Sequence, residues 1–135
     1  MKKNTGQSLV EMVVAIAVVL LVILALVAVT TVSVRNASFS RNQALATKYA
    51  QEAVEKVRAY RDQNSWSDFT SNCETFSLNL SMPSSFTLSR DCYQPGISNN
   101  CSNAGDICEV KITISWTDAK GTHKSELTTR LAKWK

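Results

Sequence analysis

The chain has 135 residues, of which 44% are hydrophobic and 19% charged, with a net charge of +4. That is enough for one modest domain beside a membrane segment and too little for two full domains. The basic excess does not argue for a nucleic-acid partner: without the first six residues Lys+Arg falls from 15 to 13 against 11 acids, leaving +2.

The chain opens with Lys2 and Lys3, and all eighteen residues from Met12 to Val29 are apolar. As a helix that run spans about 27 Å, close to the thickness of a bilayer core. Val32 and Val34 extend it beyond two threonines. The lysines predict a cytoplasmic N-terminus and an exported remainder. A secretory signal peptide would have a shorter apolar region ending in small residues. This run instead ends in Thr30-Thr31-Val32-Ser33-Val34-Arg35, with no lipobox-like cysteine nearby. Glu11 stands directly before the apolar run. A charge at the centre of a membrane helix costs roughly 2.5–3.5 kcal/mol, less near an interface, so a plain anchor gives no reason for it.

The residues from Lys2 to about Val34, "KKNTG" followed by "QSLVEMVVAIAVVLLVILA", resemble the leader and helix of a type IV prepilin. Type IV pilins, minor pilins and type II secretion pseudopilins share a short basic leader ending in Gly, a cut, Glu as the fifth mature residue, and a long apolar run. The resemblance implies processing between Gly6 and Gln7 by a prepilin peptidase, with residues 1–6 as leader. It also implies N-methylation of the new terminus and a role for Glu11 in filament assembly. The family usually has Phe directly after the cut, where this chain has Gln7. A new α-amino group has a reference pKa of about 7.7–8.0 and is largely cationic at neutral pH. Among packed apolar helices it needs a partner. Glu11 lies four residues on, within reach of its own terminus or that of a neighbouring subunit.

From Arg35 the sequence turns polar but keeps helical periodicity. Leu45, Tyr49, Ala53, Val57 and Tyr60 recur at steps of three or four, with Ala46, Ala50 and Val54 alongside. Lys48, Glu52 and Lys56 follow at i,i+4 on another face. No Gly or Pro occurs between Gly6 and Pro83. The pattern predicts one helix from about Leu9 to Asp62, about 80 Å long, stopping near Asn64-Ser65. Any local melting in its first half would have to use the β-branched cluster Val29-Thr30-Thr31-Val32.

After Trp66 the period changes to two. Phe76, Leu78 and Leu80 predict a strand, Met82-Pro83-Ser84-Ser85 a turn, and Phe86-Thr87-Leu88 a second strand. "CYQPGISNNCSNAGDIC" reads as an irregular loop. Val110, Ile112, Ile114 and Trp116 alternate with polar residues. "TDAKGT" then supplies a turn with Gly121 at a position needing positive φ, and Leu127, Thr129 and Leu131 alternate back. A C-terminal hairpin packed on the helical stripe buries both apolar faces, with Trp116 and Trp134 near its two ends. The expected fold is therefore α+β and type IV pilin-like, a long N-terminal helix packed against a small antiparallel β-sheet head. Its divisions are 1–6 (leader), 7–34 (membrane or filament core), 35–63 (outer half of the helix) and 64–135 (head).

Cys73, Cys92, Cys101 and Cys108 all lie in the exported part, an even count that reads as two disulfides. No C-x₂₋₄-C spacing supports zinc. Of the three pairings, Cys73–Cys92 with Cys101–Cys108 closes two local loops, and Cys73–Cys108 with Cys92–Cys101 is the main rival.

No catalytic motif is present, and no cofactor is expected. His123, the sole histidine, reads as a solvated residue beside a turn. Asn36, Asn79 and Asn100 begin chance-level glycosylation triplets. Three functions remain open: a structural subunit of a pilus or pseudopilus, a binding subunit on such a filament, or an unprocessed anchored head. The second reading would use Lys111, Lys120, Lys124, Arg130, Lys133 and Lys135 for DNA uptake or adhesion. Surface lysines are also the ordinary way to keep a strand edge soluble. The resemblance implies as partners other pilin subunits, the prepilin peptidase, an inner-membrane assembly platform with its ATPase, and membrane lipid before assembly. It places the chain in the inner membrane and then in a periplasmic or surface filament.

Overall fold

The structure, a computed structural model, describes residues 5–96, 101 and 105–134. The leader lysines, Asn100 and Lys135 lie outside the described residues. The elements in order are α1 (Thr5–Gln63), α2 (Trp66–Asn72), β1 (Phe86–Tyr93), β2 (Ile107–Asp118) and β3 (Gly121–Ala132). The fold is α+β. The chain divides into two compact units, Met1–Ser40 and Arg41–Lys135.

The first unit holds the apolar part of α1. Without glycine or proline the ladder runs unbroken, and good helix formers such as Ala, Leu and Met offset the many valines. Two hydroxyls inside this stretch bond back to the helix: Thr30 donates to the Val27 carbonyl at 2.9 Å and Thr31 to the Ala28 carbonyl at 2.8 Å. Such back-bonding keeps a hydroxyl satisfied in apolar surroundings and loosens the turn it leans on.

The second unit has its own interior. Ala46, Tyr49, Ala50, Ala53, Val54 and Val57 of α1 are buried in one cluster with Val110, Ile112, Ile114 and Trp116 of β2. Three alanines on that stripe let the helix backbone come close to the sheet, and the β-branched residues of β2 suit its pleated surface. β2 is the central strand, antiparallel to β1 on one side and to β3 on the other. The register runs from Phe86 opposite Trp116 to Tyr93 opposite Glu109, and from Ile107 opposite Ala132 to Asp118 opposite Gly121. The β2–β3 turn is only Ala119-Lys120, with Gly121 at φ +125°, a conformation L side chains rarely adopt.

The helix ends where Asn64 Nδ2 donates to the Tyr60 carbonyl at 2.8 Å. Ser65 then caps α2, its Oγ accepting from the Asp68 N–H. This short helix has no apolar periodicity long enough to announce it in the sequence. It seats Phe69, which is fully buried.

Phe76–Leu80 is not a strand, contrary to the alternation that predicts one. Leu78 is buried and Phe76 and Leu80 are half-buried, while Ser77 and Asn79 are exposed. The period of two is therefore one of burial without a ladder. Asn79 takes a positive φ of 42°, and the Met82 N–H bonds to the Leu80 carbonyl at 3.0 Å, which turns the chain twice. In place of a neighbouring strand, the Arg90 guanidinium of β1 donates to the carbonyls of Glu74 (2.7 Å) and Phe76 (2.8 Å). It also lies 4.1 Å over the Phe76 ring, which stacks on Tyr60 at 3.9 Å. Burial pulls the Arg90 pKa below its ordinary value, with Glu74 opposing.

Candidate functional site

Gly6, Gln7 and Glu11 all lie on α1. Gln7 and Glu11 are four positions apart in this helix, about one turn. Glu11 is exposed, as is every residue that follows it up to Ser40. The large apolar side chains from Leu9 to Val34 are exposed by 49–69%. Single exposed leucines are ordinary, but a continuous sleeve of them needs lipid or other chains around it. The helix is long and apolar enough to cross a membrane, with a mean hydropathy of 3.5 in its most apolar stretch and none of that stretch buried. No charged residue lies between Glu11 and Arg35. Chemically, this segment can present a carboxylate one turn from any amino group created at Gln7.

The second unit carries the cysteines, with Cys73 joined to Cys92 and Cys101 to Cys108. The first bond ties the end of α2 to β1, and there Glu74 Oε1 also accepts the Cys92 N–H at 3.3 Å. The second bond fastens the 94–106 connection to the start of β2. No free cysteine is present among the described residues, and no cluster of three or more His, Cys, Asp or Glu there has metal-site geometry.

Three of the six basic residues named from the sequence are paired with acids. Lys111 and Lys124 both reach Glu126, at 3.1 and 2.8 Å. These contacts, Lys124 first, hold the Glu126 carboxyl below its usual range. Arg130 donates to Glu109 at 2.8 Å and Tyr93 donates to the same carboxylate at 3.0 Å, which together lower the Glu109 pKa. Burial, followed by that hydrogen bond, raises the Tyr93 pKa. From residue 64 to 135 seven acids face seven Lys and Arg, so this part carries no net charge.

His123 is not a solvated turn residue. The turn is so short that His123 already sits in β3 opposite Trp116. Its ring centroid is 5.6 Å from that indole, and its Nε2 is 3.0 Å from Asp118 Oδ1. The Asp118 pKa is lowered, first by the Lys120 N–H and then by His123. The two tryptophans near the ends of the hairpin differ in burial: Trp116 is buried, whereas Trp134 is 65% exposed and lies against Arg61 at 5.6 Å. Neither that pairing nor the Arg90 clamp has a sequence signature, because both join residues far apart in the chain.

Residues 1–28 match the family model of the prokaryotic N-terminal methylation motif. No curated protein and no solved structure matches the chain.

Proposed function

We propose that this chain, a type IV pilin-like protein by its N-terminal motif, is a structural subunit of a type IV pilus or related pseudopilus. Residues 1–6 are its leader, removed by cutting between Gly6 and Gln7. Residues 7–34 cross the inner membrane first and form part of a filament core afterwards, with the head outside. The single observation that carries this reading is the register of motif and helix. Glu11 stands one turn from Gln7, at the foot of an apolar sleeve that has no covering of its own. In a filament the carboxylate pairs with the new α-amino group of a neighbour. The mispaired subunit leaves charge in an apolar setting and is disfavoured. The role is structural rather than catalytic. Its partners are sister subunits, the peptidase and an assembly platform with its ATPase.

The binding-subunit reading is kept in a restricted form. A polyanion such as DNA needs a cationic track, whereas here Arg130 is engaged by Glu109, and Lys111 and Lys124 share Glu126.

The test is the intact mass and N-terminal sequence of the protein from cells with and without their prepilin peptidase. A chain beginning at Gln7 only when the peptidase is present is the expected result, with a methyl group on the new terminus. A chain that keeps Met1–Gly6 in both backgrounds sinks the reading and leaves a plain membrane anchor.

A further inference from the structure

Where α1 ends and the chain finishes, Arg61, Asn64, Ser65, Trp66, Lys133 and Trp134 line a cleft of about 280 Å³, counting its open mouth. Its parts are held in place. The Trp66 indole N–H donates to the Gly105 carbonyl at 2.9 Å. Arg61 donates to the Ala132 carbonyl at 3.0 Å and lies 2.8 Å from the Asp62 carboxylate. Its guanidinium sits against the Trp134 ring at 5.6 Å, so the most exposed indole of the described chain is braced from one side and open on the other. Bracing an exposed Trp without a ligand gains little stability, since cation–π contacts at exposed sites are worth about 0.5–1 kcal/mol.

We propose that this cleft binds one sugar ring bearing a single carboxylate, a uronic-acid type of residue at the end of a glycan. The apolar face of the ring stacks on Trp134, the Asn64 carbonyl oxygen accepts a hydroxyl, and the Lys133 ammonium meets the carboxylate. Asn64 Nδ2 is already engaged by the Tyr60 carbonyl and the Ser65 hydroxyl by α2, so Asn64 adds an acceptor beside the Lys133 donor, a mixture that suits a hydroxylated ring with one carboxylate. The charge count fixes the anion. Arg61 is offset by Asp62, which leaves Lys133 as the one cation of the cleft with no acid partner among the described residues. Of the neighbouring strand cations, Arg130 is paired with Glu109 while Lys111 and Lys124 share Glu126, so among the described residues no run of unpaired cations leads away from the cleft. A monoanionic ring fits this arrangement and a nucleic acid does not. The site names a ligand class for the binding-subunit reading, but it rests on the head alone and does not require filament assembly.

The test uses the full chain in detergent micelles, with indole fluorescence read during titration by methyl β-glucuronide, methyl β-glucoside and a short oligothymidylate. The expected result is saturable quenching by the glucuronide, with the glucoside weaker by about tenfold, equivalent to about 1.4 kcal/mol. Trp134→Ala should abolish binding, read for this variant by isothermal titration calorimetry because its reporter indole is gone, and Lys133→Gln should leave binding but erase the preference for the charged glycoside. No saturation by the glucuronide overturns the proposal. So does equal binding of the glucoside, tighter binding of the oligonucleotide, or a Trp134→Ala chain that binds as before while its fold is unchanged by circular dichroism. None of these outcomes bears on processing at Gly6, because unassembled protein is used throughout.

Discussion

The two parts of α1 are made from similar residues and yet behave as different materials. From Leu9 to Val34 the helix is apolar on every side, and its large side chains are about half to two-thirds exposed. From Arg41 onward the apolar residues shrink to one stripe, and six of them are buried to 9% or less against the sheet. A stripe is what one partner surface can cover, whereas an all-round apolar helix needs a surrounding medium. The difference assigns the two stretches their jobs: the first is an interface waiting for lipid or neighbours, and the second is half of a domain core.

The same truncation made in each stretch tests that division most strongly. Ile112→Ala removes a fully buried side chain from the central strand and should lower head stability by about 2–5 kcal/mol in a denaturant titration. Ile16→Ala, at 59% exposure, should leave the same transition unmoved. A matching loss from Ile16→Ala would mean that the apolar sleeve is packed on the head after all.

The disulfides come next. Cys73–Cys92 spans 19 residues and Cys101–Cys108 only 7. In the loop-entropy picture, a closed loop of about 15 residues is worth about 3 kcal/mol, and shorter loops give less. The double substitution Cys73→Ser with Cys92→Ser should therefore lower the melting temperature further than Cys101→Ser with Cys108→Ser. The reverse order would show that the 94–106 connection, rather than the joint between α2 and β1, limits stability.

Acid should weaken the head. The Glu109, Asp118 and Glu126 carboxyls are held below their ordinary values chiefly by hydrogen bonds from Arg130, from the Lys120 N–H and from Lys124, respectively. A depressed carboxylate pKa adds stability that is full above the unfolded value, about 3.9 for Asp and 4.3 for Glu, and is lost as pH falls through the folded value. Thermal melts should therefore hold steady from neutral pH down to the upper edge of that range and fall below it. Glu109→Gln should flatten part of the fall. Glu126 is exposed, and Glu109 and Asp118 are half-buried at the surface, so the effect is modest and salt-dependent.

How much of this the amino acids announce depends on whether the signal is local. Glu11 beside an unbroken apolar run, the stripe from Leu45 to Tyr60, and the alternation of Val110, Ile112, Ile114 and Trp116 are periodic patterns of neighbours in the chain. They are legible without a structure. The α2 turn is too short to show a period. The pairing of Arg61 with Trp134 joins residues 73 positions apart, and the clamp of Arg90 on Glu74 and Phe76 replaces a strand by one side chain. Periodicity cannot report such contacts. It also cannot distinguish burial on alternate sides from membership of a sheet, and at Phe76–Leu80 that distinction decides the structure.

That segment supports the smallest test. Asn79 is the one non-glycine residue with positive φ among the described residues, and its carbonyl accepts the Lys56 ammonium at 2.5 Å. Asparagine tolerates this conformation better than other non-glycine residues, while a β-branched residue there loses roughly 1–2 kcal/mol. Asn79→Gly should thus change stability by no more than about half a kcal/mol, since relief at φ > 0 and added freedom of the unfolded chain oppose each other. Asn79→Val should destabilise by about 1 kcal/mol or more. Valine is also a good strand former. If Asn79→Val instead raises the melting temperature, residues 76–80 prefer to be a strand, and the Arg90 clamp is then an ornament on a fourth strand rather than its substitute.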